Sequence, residues 1–310
     1  MTQPTTEQAD MSWPPPNYLP PPPATVTDNG TRHYDGATYA STPGYRPRLL
    51  DVRVPAATGP VPLVVWVHGG GWLDGDRRYP PPTVPADLLF GSILDAGMAV
   101  ATIDYRHSLE APFPAQLHDL KAAIRYLRRF ADTLGVDGDR MGVWGESAGG
   151  HLAALAGLTG SGDAGLEGIE GPREGSTAVQ AVVDWYGVTH ITPLLGFVFP
   201  PSPPGTPPFP NPFTALLGGT EDDWPRLAPP ASPASYVTPS APPFLLAHGT
   251  ADGLVPYAQS ELLAELLRAQ GVEAVLRPVE GADHIFLGAD VKPIVAEAIA
   301  FLTRHLHATR

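Results

Sequence analysis

Apolar residues in this chain fall into two kinds of segment. Pro62–Val67, Met98–Ile103, Ala178–Val183 and Pro243–His248 are short, nearly continuous apolar runs. Such runs predict strands covered on both faces. Leu49–Val54 alternates and stops before Pro55, which predicts a strand with one apolar face. Met141–Gly145 and Ala274–Val279 complete the strand set. Between them lie segments with helical periodicity. In Gln116–Leu134 the residues Leu117, Leu120, Ile124, Leu127 and Leu134 recur at steps of three, four or multiples, and Gly135 marks the end. Asp87–Ala96, Tyr257–Gln270 and Val291–His305 read as further helices. Strands that alternate with helices need crossover connections, so the predicted class is α/β, with a mostly parallel central sheet flanked by helices.

Two segments break the pattern. Residues 1–31 carry Pro14–Pro16 and Pro20–Pro23, and read as a solvated or surface-draped, partly disordered arm that Trp13, Tyr18 and Leu19 pin to the body. Thr192–Pro243 is rich in proline and holds Phe197, Phe199, Phe209, Phe213 and Trp224. A structureless run this long is unusual inside a compact domain, so it reads as a lid or active-site cover. The expected organisation is an arm followed by one domain, residues 32–310, with the insertion at about 192–243.

Composition narrows the function. The net charge of -13, without a basic patch, argues against nucleic-acid binding. With no cysteine, thiol catalysis and disulfides are excluded. No run of about 18 apolar residues predicts a membrane span. The first residues lack a basic n-region and an apolar h-region, which reads as cytoplasmic.

The chemistry gathers at strand ends, where sites in such sheets lie. Gly145-Glu-Ser147-Ala-Gly149 follows a strand and opens a helix. That pattern, G-x-S-x-G, presents a serine oxygen on a strained turn, and side chains at the two glycines would collide with the neighbouring strand and helix. His68-Gly-Gly-Gly-Trp72 follows another strand and offers backbone N–H groups to a ligand. A serine needs a base to take its proton, and the base needs a carboxylate to orient it. Ser147, Asp252 and His284 supply these in an order expected of one hydrolase class. The N–H groups of Gly70, Gly71 and Ala148 are the candidate oxyanion hole. Asp283 competes with Asp252, but it directly precedes the histidine and would point away from it. His68 and Glu146 read as braces of the glycine loop and elbow, His151 as a core residue, His248 as support for its own turn, and His118 with Asp119 as packing or an ion pair. Neither metal-ligand spacing nor a Walker lysine is present, so no metal and no cofactor are expected.

These motifs, together with Asp104-Tyr-Arg106, Phe113–Asp119, Val183–Gly187 and His248-Gly-Thr-Ala-Asp252, carry a resemblance over roughly residues 49–305. The chain resembles α/β-hydrolases of the esterase/lipase group with the His-Gly-Gly-Gly motif, which includes hormone-sensitive-lipase-like enzymes. More narrowly, it resembles small bacterial feruloyl or acetyl-xylan esterase-like enzymes. The resemblance implies a serine carboxylester hydrolase acting on small or short-acyl esters through an acyl-enzyme on Ser147. Trp72, Tyr186, Phe197 and Phe199 are the candidates to line the acyl pocket, although each also fits a core position. The expected partner is a small-molecule ester, without nucleic acid or membrane, and a homodimer is left open. The same residues would also serve an acyltransferase, amidase or formamidase, or, without turnover, a ligand-binding protein.

Overall fold

A computed structural model describes residues 16–160, 162, 164–197 and 210–307. Its strands are β1 (Thr25–Val26), β2 (Arg32–Ala40), β3 (Arg48–Val54), β4 (Val61–Val67), β5 (Ala99–Ile103), β6 (Val136–Glu146), β7 (Ala181–Trp185), β8 (Phe244–Gly249) and β9 (Ala274–Val279). They form one sheet in the order β1-β2-β3-β5-β4-β6-β7-β8-β9. From β5 through β9 every neighbour is parallel. The β1, β2, β3 edge is antiparallel and joins β5 antiparallel. The chain is thus the mostly parallel α/β-hydrolase sheet, with an antiparallel margin.

β2 had no counterpart in the sequence reading. Its register shifts between Tyr34 and Ala37, and Gly36 within it stands at φ 71°. That irregularity breaks the period-two alternation by which strands are read.

The two faces of the sheet bury different side chains. Along β4, Leu63, Val65 and Val67 join one apolar layer, while Val64 and Trp66 join the other. This is the alternation that a pleated strand imposes. The second layer is aromatic. Trp66, Trp144 and Trp185 meet edge-to-face, with ring centroids 4.8–6.1 Å apart. Each such pair contributes about 0.5–1.5 kcal/mol beyond its buried area. The helix Lys292–Leu306 covers this face through Ile294, Val295, Ala298 and Leu302. The helices Ala115–Arg129 and Ala148–Leu158 cover the other.

Several boundaries moved. The expected helix 116–134 is interrupted at Phe130, and its last turn is the separate helix Ala131–Leu134. The segment from Asp87 opens as a π-helical turn, Asp87–Gly91, before Ser92–Asp95. The strand expected at Ala178–Val183 lies three residues later and carries Asp184 to the catalytic edge.

The described part of the arm lies on the body. Tyr18 packs edge-on against Tyr126 and Phe130, Leu19 N–H donates to the Thr38 carbonyl, and the Tyr126 hydroxyl donates to the Leu19 carbonyl. Trp13 lies outside the described residues. The described part of the insertion is a packed wall. Asn211 caps the helix Pro212–Leu217, accepting from the Phe213 and Thr214 N–H groups. Phe213, Leu216, Leu217, Ala228 and Ala231 are buried in the core. Phe199 and Phe209 lie outside the described residues. No described helix is long and apolar enough to cross a membrane.

Candidate active site

The elbow forms where β6 turns into the helix Ala148–Leu158. Ser147 stands between them at φ 53°, a strained conformation for a residue with a side chain. A Cβ at Gly145 would strike the Gly149 carbonyl, and one at Gly149 would strike the Val67 carbonyl of β4. Only glycine fits either position. Ser147 N–H donates to the Trp185 carbonyl at 2.8 Å, which ties the elbow to β7.

The loops after β8 and β9 bring two further residues to Ser147. His284 Nε2 lies 3.1 Å from Ser147 Oγ, and His284 Nδ1 lies 2.7 Å from Asp252 Oδ2. With a proton on Nδ1 that donates to the Asp252 carboxylate, Nε2 is free to accept the serine proton. Asp252 is tightly held, because its Oδ1 accepts the N–H groups of Leu254 and Val255 at 2.9 and 2.8 Å. Burial alone would push its carboxyl up. Hydrogen bonds from His248 and His284, the charge of His284 and the Val255 N–H outweigh burial and hold it well below the usual carboxylate range.

Asp283 does not reach the His284 ring. It accepts the backbone N–H groups of His284 and Gly253 and so fixes the loop that carries the histidine. His248 supports its turn through Nε2 to the Val255 carbonyl at 2.8 Å, and accepts the Ser260 hydroxyl at Nδ1. It also lies 3.2 Å from Asp252 Oδ2, a contact the sequence reading missed. The i, i+4 spacing across the His248–Asp252 turn was the available signal.

The glycine loop follows β4. Gly70 and Gly71 take φ 99° and 61°, and the next residue, Trp72, takes φ 57°. His68 stacks on Tyr105 with ring centroids 4.4 Å apart and bonds through Nδ1 to its neighbour's carbonyl at Gly69. Burial pushes His68 down to about 4, so it is a neutral brace at physiological pH. Glu146 accepts the Gly69 N–H at 2.7 Å. Burial raises its carboxyl and the Gly69 N–H opposes that rise. Asp119, far from the serine, forms a buried pair with Arg106 and a longer one with Arg48. His118 contacts the Gly165 carbonyl through Nε2, and its Nδ1 lies 3.8 Å from Glu170 Oε2.

A cavity of about 390 Å³ opens over Ser147 and His284. Gly70, Gly71 and Ala148 line it, together with Trp72, Val188, Pro212, Phe213, Leu254, Val255 and Ile285. Two of the expected pocket residues are absent from the lining. Tyr186 is fully buried beneath His284, with ring centroids 4.9 Å apart, and Phe286 packs on it at 4.7 Å. It supports the histidine rather than facing substrate. Phe197 is half-buried against the apolar core, and its carbonyl accepts the Asn211 amide. Pro212, which sequence reasoning did not single out, joins Phe213, one of the aromatics of the expected lid, in the cavity wall. Pro212 sits where a Cβ on Gly71 would touch it, at 3.2 Å, and the Phe213 ring meets Trp72 edge-on at 5.9 Å.

A family model described as BD-FAE matches residues 50–267. The chain belongs to the BD-FAE family. Esterase LipC of Mycobacterium tuberculosis is 32% identical over 97% of this chain and 72% of its own length. Esterase LipQ of the same organism is 35% identical over 83% of this chain, which spans 59% of LipQ. Among solved structures, a truncated carbohydrate esterase from gut microbiota superposes with a TM-score of 0.74 and 29% identity, over 92% of this chain and 100% of its own. This BD-FAE member is accordingly a serine carboxylester hydrolase of the α/β-hydrolase fold.

Proposed function

We propose that the enzyme hydrolyses esters of short, apolar acids, with Ser147 as nucleophile, His284 as general base and Asp252 as its orienter. The observation that carries this reading is the hydrogen-bonded line from Ser147 Oγ through His284 to Asp252 at the floor of an apolar cavity. As Ser147 Oγ bonds to the ester carbonyl carbon, its proton passes to His284 Nε2. The carbonyl oxygen takes the negative charge. Backbone N–H groups of Gly70, Gly71 and Ala148 stabilise it, each such donor being worth about 2.7–4 kcal/mol in the transition state. The C–O bond to the alcohol then breaks, and His284 returns its proton to the leaving oxygen. Water next gives a proton to His284 and attacks the acyl carbon; the bond to Ser147 Oγ breaks, His284 returns the proton to that oxygen, and the acid is released.

The apolar wall favours an apolar acyl group, and Pro212 and Phe213 narrow the space beside Gly71 and Trp72. The solved carbohydrate esterase supports adding acetylated sugars to the substrates tried. The test is a panel of p-nitrophenyl esters of increasing chain length, with acetylated sugars and feruloyl esters, alongside labelling by an organophosphonate. Hydrolysis confined to short acyl chains and stoichiometric phosphonylation of Ser147 in the mass spectrum are expected. Labelling at another residue, or a preference for long chains, overturns the reading.

A further inference from the structure

Trp72 and His151 are joined by a bond whose direction is fixed by chemistry. An indole N–H only donates. The Trp72 Nε1 lies 3.2 Å from His151 Nδ1, so that nitrogen must carry a lone pair. The imidazole proton is therefore on Nε2, which donates to the Ala231 carbonyl at 2.7 Å. Both rings are buried and meet edge-on with centroids 5.0 Å apart. Three separate parts of the active site converge here. Trp72 ends the glycine loop, His151 lies on the elbow helix with its N–H bonded to the Ser147 carbonyl, and Ala231 belongs to the insertion that supplies Pro212 and Phe213. Trp72 also holds a left-handed backbone conformation that a tryptophan adopts only when its surroundings enforce it.

We propose that His151 is a positioning residue for ester hydrolysis: through the Trp72 indole N–H it holds Gly70, Gly71 and the Trp72–Phe213 wall in register with Ser147. This rests on the functional reading above. A histidine meets both demands of the bridge, an acceptor at one edge of the ring for the Trp72 indole and a donor at the other for the Ala231 carbonyl. Asparagine reproduces only the near acceptor and glutamine only the far donor.

Four variants test it: Trp72→Phe, His151→Asn, His151→Gln and His151→Leu, each checked by thermal melting. Trp72→Phe keeps an aromatic ring and loses the donor. It is expected to lower kcat for p-nitrophenyl butyrate about tenfold while KM changes less than about threefold, as for loosened oxyanion donors. His151→Asn is expected to stay within about threefold of wild type, and His151→Gln and His151→Leu to fall with Trp72→Phe. If Trp72→Phe melts like wild type and keeps kcat within about twofold, the proposal is wrong; that variant decides the matter even where His151→Leu fails to fold. A readout without turnover separates this from the functional reading. ¹⁵N spectra are expected to show His151 as the Nε2–H tautomer and the Trp72 indole resonance shifted in His151→Gln. An Nδ1–H tautomer overturns the bridge even in an active enzyme. An intact bridge in a protein that cleaves no ester refutes the functional reading and, with it, the role assigned to His151.

Discussion

Ser147, His284 and Asp252 meet through hydrogen bonds with fixed directions, whereas Trp72, Pro212 and Phe213 on the wall of the same cavity meet mainly through packing. On the reaction side, two of the groups are also held by residues close to them in sequence: the Leu254 and Val255 N–H groups hold Asp252, and the Asp283 carboxylate holds the His284 loop. On the wall side, the partners come from distant parts of the chain, and a polar line runs from Trp72 through His151 to Ala231. Directional bonds lose their effect over a fraction of an ångström, while packed apolar surfaces yield by degrees. Substitutions on the reaction side should therefore act nearly all-or-none on rate. Those on the wall should retune which acyl group fits.

The largest effect expected is from Ser147→Ala. It removes the proposed nucleophile and should cut kcat/KM for p-nitrophenyl butyrate at least ~10⁴-fold with an unchanged melt. A drop of less than about a hundredfold would place the chemistry elsewhere. Asp252→Asn keeps the shape but offers His284 an uncharged partner that can favour the wrong tautomer, so kcat should fall ~10³-fold with KM nearly constant. A rate loss below tenfold would mean that the carboxylate of Asp252 does little in the reaction.

On the wall, Phe213→Ala should change preference rather than chemistry. The ratio of octanoate to butyrate hydrolysis should rise about tenfold, because an added cavity admits methylenes that the ring excluded. The same variant should unfold more easily, by roughly 3 kcal/mol, since Phe213 is only 3% exposed. An unaltered chain-length profile would remove Phe213 from the acyl site.

The smallest effect concerns a second carboxylate at the same sheet edge. Asp184 ends β7 as Asp252 follows β8, yet its Oδ1 accepts the Gly187 N–H while its Oδ2 finds no partner. Burial pushes it up to about 7. The folded state thus holds a proton that the unfolded chain, with an ordinary value near ~3.9, has released. Its contribution to stability is full below that ordinary value and is lost as pH rises through about 7. Relative to Asp184→Asn, the wild type should lose on the order of 2 kcal/mol between pH 5 and pH 8 in urea unfolding. The buried histidines His68 and His151 are common to both proteins and cancel. A difference between the two proteins that is flat with pH would show that Asp184 is already ionised at pH 5.

Much of the active-site edge was legible because its pieces are local. Each strand that carries a functional residue ends in its own motif, and a buried parallel strand announces itself by a continuous apolar run. The choice of Asp252 over Asp283 was likewise a local argument about which carboxylate faces the ring. β2 was illegible because a bulge and a left-handed glycine erase its alternation. The insertion was illegible for a different reason. Proline-rich sequence says what the backbone avoids, and nothing about which aromatic turns inward. Phe213 went to the wall, whereas Tyr186, a candidate for the acyl pocket, went beneath the histidine.

By itself, the sequence determined the alternation of strands and helices, the serine on its strained turn, the glycine loop and the chain order of serine, aspartate and histidine. These depend on conformations and spacings within a few residues. Only the tertiary structure decided that Pro212 meets Gly71 and that Trp72 finds its acceptor on His151, 79 residues away. Such contacts arise when the whole sheet has closed its core, and no local pattern encodes them.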